Sequence, residues 1–436
     1  MNELGAIMTL PVRSASIKKA LMRNGGRTTI SKLNLIRKPY RTLLNGGQGY
    51  AAFDVVTVSD LVDRLGQTAI LDPMSGYGSL LRICSQKGIP SVSVEINAPL
   101  YLWHLVRWAD LHDDFVGAID LILTRSKNWP KTITRAQASG QWFTETALNL
   151  LDDLMQMNCE AVETKRTSRE IKTEIIAAAL MVPFCGRLSC CSESDNNPIW
   201  VKKGGIVVYD KWECDYREYL VSLRSLLVKN ANTAVRRTTH KIILGDCRLI
   251  DFRDMQIRAM ITSPPYPNHS DYFKMFEPEL HYCSHLNIAD LNVAPATQYI
   301  GSTKVKGTTQ KQYPLKVGGE FLDYVPTSSV KSKKKTIANA TYHYPSYANY
   351  FNGLYDAYAN LSRAAVPGFR GFIIAQNNHF RNREIPVAQT VIEIWQSLGF
   401  NAKIANQKEV FHTGTKNPRA KGTKAKQSEF TIEISR

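Results

Sequence analysis

The sequence predicts an α/β protein: an open, mostly parallel, twisted sheet with helices on both faces, interrupted by a mainly helical subdomain. Three observations carry this expectation. Short apolar runs rich in β-branched residues alternate with stretches of helical apolar spacing. Several of the short runs stop at an acid or a glycine, as strands do where they feed a loop at a sheet edge. The first two runs are separated by one helix-sized segment, the length of a strand–helix–strand crossover.

In order, TAILD (68–72) reads as the first strand, SLLRICSQKG (79–88) as a helix closed by a glycine cap, and SVSVE (91–95) as the second strand. The pattern resumes with KIILGD (241–246) and RAMITS (258–263), both ending at a polar residue. A Tyr-rich helix follows over about 344–365, then GFIIAQ (371–376), a helix near 386–398, and EFTIEIS (429–435), expected to pair antiparallel with its neighbour. The stretch 111–240 is far too long for one crossover, and WFTETALNLLDDLMQM and SREIKTEIIAAALMVPF within it have helical apolar spacing. An inserted, mainly helical subdomain is expected there, leaving a discontinuous core domain of 45–110 and 241–436. Residues 291–343, with KSKKK at 331–335, read as a long basic loop.

The formal net charge is +17 over 436 residues. A surplus of this size and sign points to a polyanionic partner, nucleic acid ahead of a membrane surface. The charge is uneven: no acid stands between Glu3 and Asp54, where Arg13, Lys18, Lys19, Arg23, Arg27, Lys32, Arg37, Lys38 and Arg41 fall, so residues 1–44 read as a basic arm. Such a composition also suits an organelle-targeting peptide, but the arm lacks an amphipathic repeat. No apolar run approaches the roughly 18 residues that span a bilayer, so no membrane partner is expected and the chain reads as cytoplasmic. Eight cysteines without a CxxC pair predict reduced thiols. Cys185, Cys190 and Cys191 lack a well-spaced fourth ligand and read as free thiols, so no metal site is expected.

Asp72 ends the first strand, and Gly76 and Gly78 form the turn LDPMSGYGSLL into the next helix. A GxG turn here lets the backbone approach a ligand lying across the carboxyl edge of the sheet. A dinucleotide site would add a third glycine where Leu81 stands. Glu95 ends the second strand and Asp246 follows the third. Any one of these acids is equally well a helix N-cap. Together, beside a GxG turn, they suit a cationic adenosine ligand, whose ribose hydroxyls, amino group and positive centre all seek acceptors. At the end of the next strand stands TSPPY (262–266), in which two prolines stop the strand and fix the direction of neighbouring acceptors.

These motifs resemble those of a known family. DPMSGYGS is similar to the D-P-F-x-G-x-G-T signature of amino-group DNA methyltransferases, VEIN with Pro99 to their D-x-N-P stretch, and TSPPY to their catalytic tetrapeptide. QYIGS (298–302) and the segment from YHYPSYANYF to GFIIAQNN also look similar to members in which the cofactor motif precedes the catalytic one. Met74 replaces the usual Phe, and Ala98 separates Asn97 from Pro99. The resemblance covers roughly 45–110 and 240–436 and implies a Rossmann-like, S-adenosylmethionine-dependent enzyme. It implies that Asp72, Pro73, Ser75, Gly76 and Gly78 surround the methionine part of the cofactor, Glu95 the ribose and Asp246 the adenine. It also makes Ser263, Pro264, Pro265 and Tyr266 catalytic.

An exocyclic amine on a base is a poor nucleophile because its lone pair is delocalised into the ring. Acceptors aimed at its hydrogens, such as the Ser263 side chain and the Pro264 carbonyl, favour a tetrahedral nitrogen with an available lone pair. Tyr266 would stack on a base flipped out of the duplex. A carbon-5 cytosine enzyme would need a thiolate, typically in a Pro-Cys pair that is absent here. The family associates Ser at the first position with cytosine N4, which is therefore expected, with adenine N6 as the alternative.

The implied partner is double-stranded DNA, with a cognate restriction endonuclease as a second candidate. Lys416, Arg419 and Lys421 in TGTKNPRAKGTKAKQ (413–427) read either as phosphate contacts or as a solvated hairpin. Target recognition falls to 111–240 or to 291–343. Asn268, Asp271 and Tyr272 either line the same pocket or cap a helix. Two other functions stay open: an RNA or tRNA base methyltransferase, and a catalytically idle nucleic-acid-binding subunit.

Overall fold

The computed structural model describes residues 55–108, 112–129, 142–163, 180–182, 212–233, 239–267, 271–288, 291–303, 305, 313–327, 341, 343–381, 383–411 and 426–436. The basic arm, Cys185, Cys190, Cys191, Asn268, KSKKK, Lys416, Arg419 and Lys421 lie outside these residues. The strands are β1 (Ile70–Asp72), β2 (Ser91–Glu95), β3 (His240–Leu244), β4 (Ile257–Thr262), β5 (Ala365–Gln376), β6 (Asn378–Phe380), β7 (Arg383–Ile385), β8 (Asn401–Phe411) and β9 (Lys426–Ser435). The helices are α1 (Val55–Leu65), α2 (Ser79–Lys87), α3 (Ala98–Trp108), α4 (His112–Thr124), α5 (Glu145–Glu163), α6 (Trp212–Thr233), α7 (Tyr272–Met275), α8 (Glu277–Leu286), α9 (Lys316–Thr327), α10 (Tyr344–Ser362) and α11 (Val387–Ser397).

Seven strands form one mixed sheet in the order β3-β2-β1-β4-β5-β9-β8, and β6 and β7 form a separate hairpin. Strands β1 to β5 run parallel. Strand β9 enters antiparallel between β5 and β8, as expected for the closing run EFTIEIS. The chain is therefore α/β with a mostly parallel sheet flanked by helices, compatible with a Rossmann-like fold.

The two faces follow from the period of two along each strand. Ile70, Ala259, Ile261, Phe372 and Ile374 point to one side, where Val58, Leu61 and Val62 of α1 and Leu80 and Ile83 of α2 cover them. Their alternates Leu71, Met260, Ile373 and Ala375 meet α9, α10 and α11 on the other side. On α10, Tyr347, Tyr350, Phe351, Leu354, Tyr358 and Leu361 recur at helical spacing and are all buried, so the Tyr-rich run is a core stripe. Gly88, with φ 71°, closes α2 as a left-handed cap, and Ile89 N–H donates to the Cys84 carbonyl at 2.9 Å.

Between β2 and β3 the described elements are helical: α3, α4, α5 and α6, packed with α8 around Trp103, Phe115, Phe143, Leu151, Tyr216 and Leu223. The segment read as a basic loop differs from that expectation, because residues 316–327 within it form α9. Phe321, Leu322 and Val325 give α9 a buried stripe, and Glu393 of α11 accepts from the Lys316 and Val317 backbone N–H groups at 3.0 and 2.9 Å. A helix capped by a distant carboxylate leaves no local capping signature in its own sequence. Among the described residues no helix is long and apolar enough to cross a membrane.

Candidate functional site

Strands β1, β2, β3 and β4 run parallel, so all four carboxyl ends meet at one edge. The order turns back between β1 and β4, the switch point at which ligands bind in open α/β sheets. A cleft open to solvent lies there, about 950 Å³ when the open solvent at its mouth is counted. Pro73, Ser75, Gly76, Glu95, Asp246, Ser263, Pro264, Pro265 and Tyr266 all line it. Asp72 and Gly78 are not in its lining and act from behind. Met74, Val94, Ile96, Leu100, Cys247 and Ile300 make much of the remaining wall apolar, and Asn97, Gln298 and Tyr299 add polar groups.

The GxG turn takes its shape from left-handed backbone at Gly76 (φ 50°) and Gly78 (φ 73°). A Cβ on Gly76 would meet nothing within 4 Å, whereas one on Gly78 would stand 2.9 Å from His104 Nε2. The same nitrogen lies 2.9 Å from the Gly76 carbonyl. A carbonyl can only accept, so Nε2 carries the hydrogen. His104, fully buried in α3, thus pins the turn through one glycine and packs against the other. Ser75 adds two anchors, its N–H and Oγ each donating to the Val94 carbonyl at 3.0 Å.

Asp72 is completely buried. Its Oδ1 accepts from the Thr262 hydroxyl at 2.8 Å and the Met74 N–H at 3.2 Å, tying the ends of β1 and β4 together; Oδ2 has no partner among the described residues. Burial pushes its pKa up to about 7. Glu95 accepts from the Asn97 N–H at 2.9 Å, and burial pushes it up to about 8, with the nearby Asp72 charge contributing in the same direction. Asn97 Nδ2 and the Tyr299 hydroxyl, two buried donors on lining residues, have no partner among the described residues.

Asp246 is already engaged. Its Oδ1 accepts from the Arg248 N–H and Nε at 2.9 Å each, and the Arg248 guanidinium also reaches the Gln298 carbonyl. The pair braces QYIGS, which α10 holds from behind: Asn349 Nδ2 donates to the Tyr299 carbonyl at 3.3 Å. At Gly353 on α10, a Cβ would stand 3.0 Å from Ile300.

The TSPPY run leaves β4 as anticipated. Ser263 Oγ and the Tyr266 hydroxyl lie 2.9 Å apart, and the Tyr266 ring is 9% exposed, so it forms part of the cleft wall. One residue on, the Pro267 carbonyl accepts from Asn378 Nδ2 at 2.9 Å, which ties the run to the β6–β7 hairpin. Asp271 resolves to a structural role: it caps α7 through the Lys274 N–H at 3.2 Å, and its Oδ2 accepts from the Thr303 N–H at 2.9 Å and hydroxyl at 2.7 Å. The basic loop 412–425 lies outside the described residues, but its two ends, Phe411 and Lys426, pair with each other beyond the carboxyl end of β5.

No protein-family model matches the chain, and no curated protein matches it. Sequence reasoning missed His104, Asn97 as a cleft residue, and Arg248. His104 stands in the apolar helix APLYLWHLVRW, where nothing local marks it. Arg248 had a weak signal, standing two residues after an acid at a strand end.

Proposed function

We propose that the chain is an S-adenosylmethionine-dependent methyltransferase acting on the exocyclic amine of a flipped base in double-stranded DNA, with cytosine N4 as the target and adenine N6 as the alternative. One observation carries this reading: the GxG turn, Glu95 and the SPPY run, far apart in sequence, share one cleft at the switch point of the sheet. The Rossmann-compatible sheet with its antiparallel closing strand agrees with the fold that the family resemblance implies.

The residues present fit the cofactor. Among the described residues Gly76 leaves open space above the turn, Glu95 offers carboxylate acceptors, and Asn97 Nδ2 and the Tyr299 hydroxyl are buried donors still lacking acceptors. When bound, the cofactor supplies an electrophilic methyl group on a sulfonium. Asp72 and Glu95 hold negative charge close to the pH of use, so a cation in the cleft favours their ionised forms. A Ser263 that donates its proton to Tyr266 keeps its oxygen lone pairs for the hydrogens of an incoming amine. The reading needs no thiolate, and burial pushes the Cys247 thiol in the wall up to about 12. The surplus of positive charge suits a polyanionic substrate.

The test is to incubate the protein with labelled cofactor and duplex DNA, digest to nucleosides and identify the methylated one. N4-methylcytosine is expected. N6-methyladenine would change the base, and label confined to RNA would overturn the substrate class. Absence of cofactor binding by calorimetry would overturn the enzyme reading and favour an idle subunit.

A further inference from the structure

Beyond the cleft, the β6–β7 hairpin has features that the fold alone does not explain. Phe380 pairs with Arg383, which closes a tight turn with Arg381 in the left-handed region at φ 58°. Such turns favour Asn and Gly, and a side chain like Arg costs about 1 kcal/mol there. His379, Arg381 and Arg383 are all exposed. The Arg381 guanidinium lies 5.2 Å from the Phe380 ring centroid and that of Arg383 4.8 Å from the Tyr324 ring, contacts that orient both cations. The hairpin's acid, Glu384, is exposed as well, and its Oε1 accepts from Asn377 Nδ2.

Position gives these cations a direction. Asn378 fastens the hairpin to the Pro267 carbonyl, next to Tyr266, and the Asn377 N–H donates to the Ser428 carbonyl of β9 at 3.2 Å. The hairpin therefore stands between the SPPY run and β9. We infer that Arg381 and Arg383 grip the sugar-phosphate backbone of duplex DNA beside the flipped nucleotide, so that the hairpin sets the register of the strand relative to Ser263. This inference rests on the DNA methyltransferase reading. A phosphate contact explains both the charge and the left-handed Arg, since an arginine fork suits phosphate and functional positions retain backbone strain.

The test compares full-length wild-type protein with Arg381→Asn, Arg383→Gln and the double variant, measuring duplex DNA binding by anisotropy from 50 to 300 mM salt, cofactor affinity by calorimetry, and thermal stability. Arg381→Asn is expected to fold at least as stably as wild type, because Asn accepts the left-handed turn. Each substitution should weaken duplex binding roughly tenfold at 0.1 M salt and reduce the slope of log K against log salt by about 0.9. Cofactor affinity should not change. If wild type binds and methylates duplex DNA while the double variant keeps its affinity and slope, the hairpin inference falls and the methyltransferase reading stands. If wild type binds no duplex, or prefers an RNA duplex, both fall.

Discussion

Replacing Asp72 by Asn removes a charge that the fold buries with only one of its two oxygens satisfied. Burial raises the pKa from 3.8 to about 7 against the opposing hydrogen bonds from Thr262 and Met74. Between those values the folded protein holds the proton and the unfolded chain has released it. Stability therefore falls as pH rises through this window, and the full cost stands above it. At about 1.4 kcal/mol per pH unit, the whole shift amounts to about 4 kcal/mol, of which about 3 kcal/mol accrues between pH 5 and pH 7. Asn keeps the shape and the Oδ1 acceptor, and carries no charge across this range. Its amide nitrogen, at the position of Oδ2, lacks an acceptor and costs roughly 1–3 kcal/mol, but equally at every pH. In urea titrations without ligand, the stability of Asp72→Asn relative to wild type should improve by about 3 kcal/mol from pH 5 to pH 8, with an unchanged m-value. A difference that stays constant between the two pH values refutes the assignment of an unpaired buried charge to Asp72.

Three further outcomes are expected. Gly78→Ala should destabilise by about 2 kcal/mol or more, from the left-handed backbone and the His104 contact; in a double-mutant cycle His104→Ala should return part of that loss, and strict additivity would deny the contact. Cofactor affinity measured by calorimetry should rise between pH 6 and pH 9 as Asp72 and Glu95 ionise, with proton release on binding; a flat profile would mean that neither acid faces the cation. Ser263→Ala and Tyr266→Phe should each slow methylation roughly a hundredfold with cofactor affinity held within about twofold, as for loss of a single positioned polar group at a reacting centre. If Tyr266→Phe keeps wild-type turnover while Tyr266→Ala does not, the ring rather than the hydroxyl is what counts at that position.

What was legible in the sequence was local. The parallel strands show as apolar runs because both faces are covered: TAILD and RAMITS alternate between two different helical layers, while SVSVE sends both of its valines to one. The GxG turn, the strand-end Glu95 and the SPPY stop could be placed at one edge because each ends a strand whose direction the crossovers fix. What was hidden depends on partners far along the chain. Nothing near His104 announces Gly76 and Gly78, and α9 looked like loop because its cap comes from Glu393. Asp246 reads as a free acceptor in sequence, yet Arg248 occupies it, so an adenine amino group would have to share that carboxylate with a guanidinium. Tyr266 reads as a stacking platform, yet its ring is largely packed and its hydroxyl meets Ser263.

Buried acids at the sheet edge cost stability whatever motif they belong to. A domain's net stability is about 5–15 kcal/mol, and Asp72 alone sets about 4 kcal/mol against it at pH 8 by the shift worked above. Glu95, pushed by the same burial to about 8, acts in the same direction. A fold selected for stability alone would place Asn or an apolar residue at these strand ends, since removing an unsatisfied buried charge gains more than the hydrogen bonds return. The sheet tolerates the cost because β1 and β4, whose ends Asp72 and Thr262 join, are packed on both faces. A cationic ligand in the cleft reverses the sign: it draws both acids to their charged forms and recovers what burial took from them. That recovery would make the gain in heat resistance on ligand binding markedly larger near pH 8 than near pH 5, which a neutral ligand of the same shape would not do.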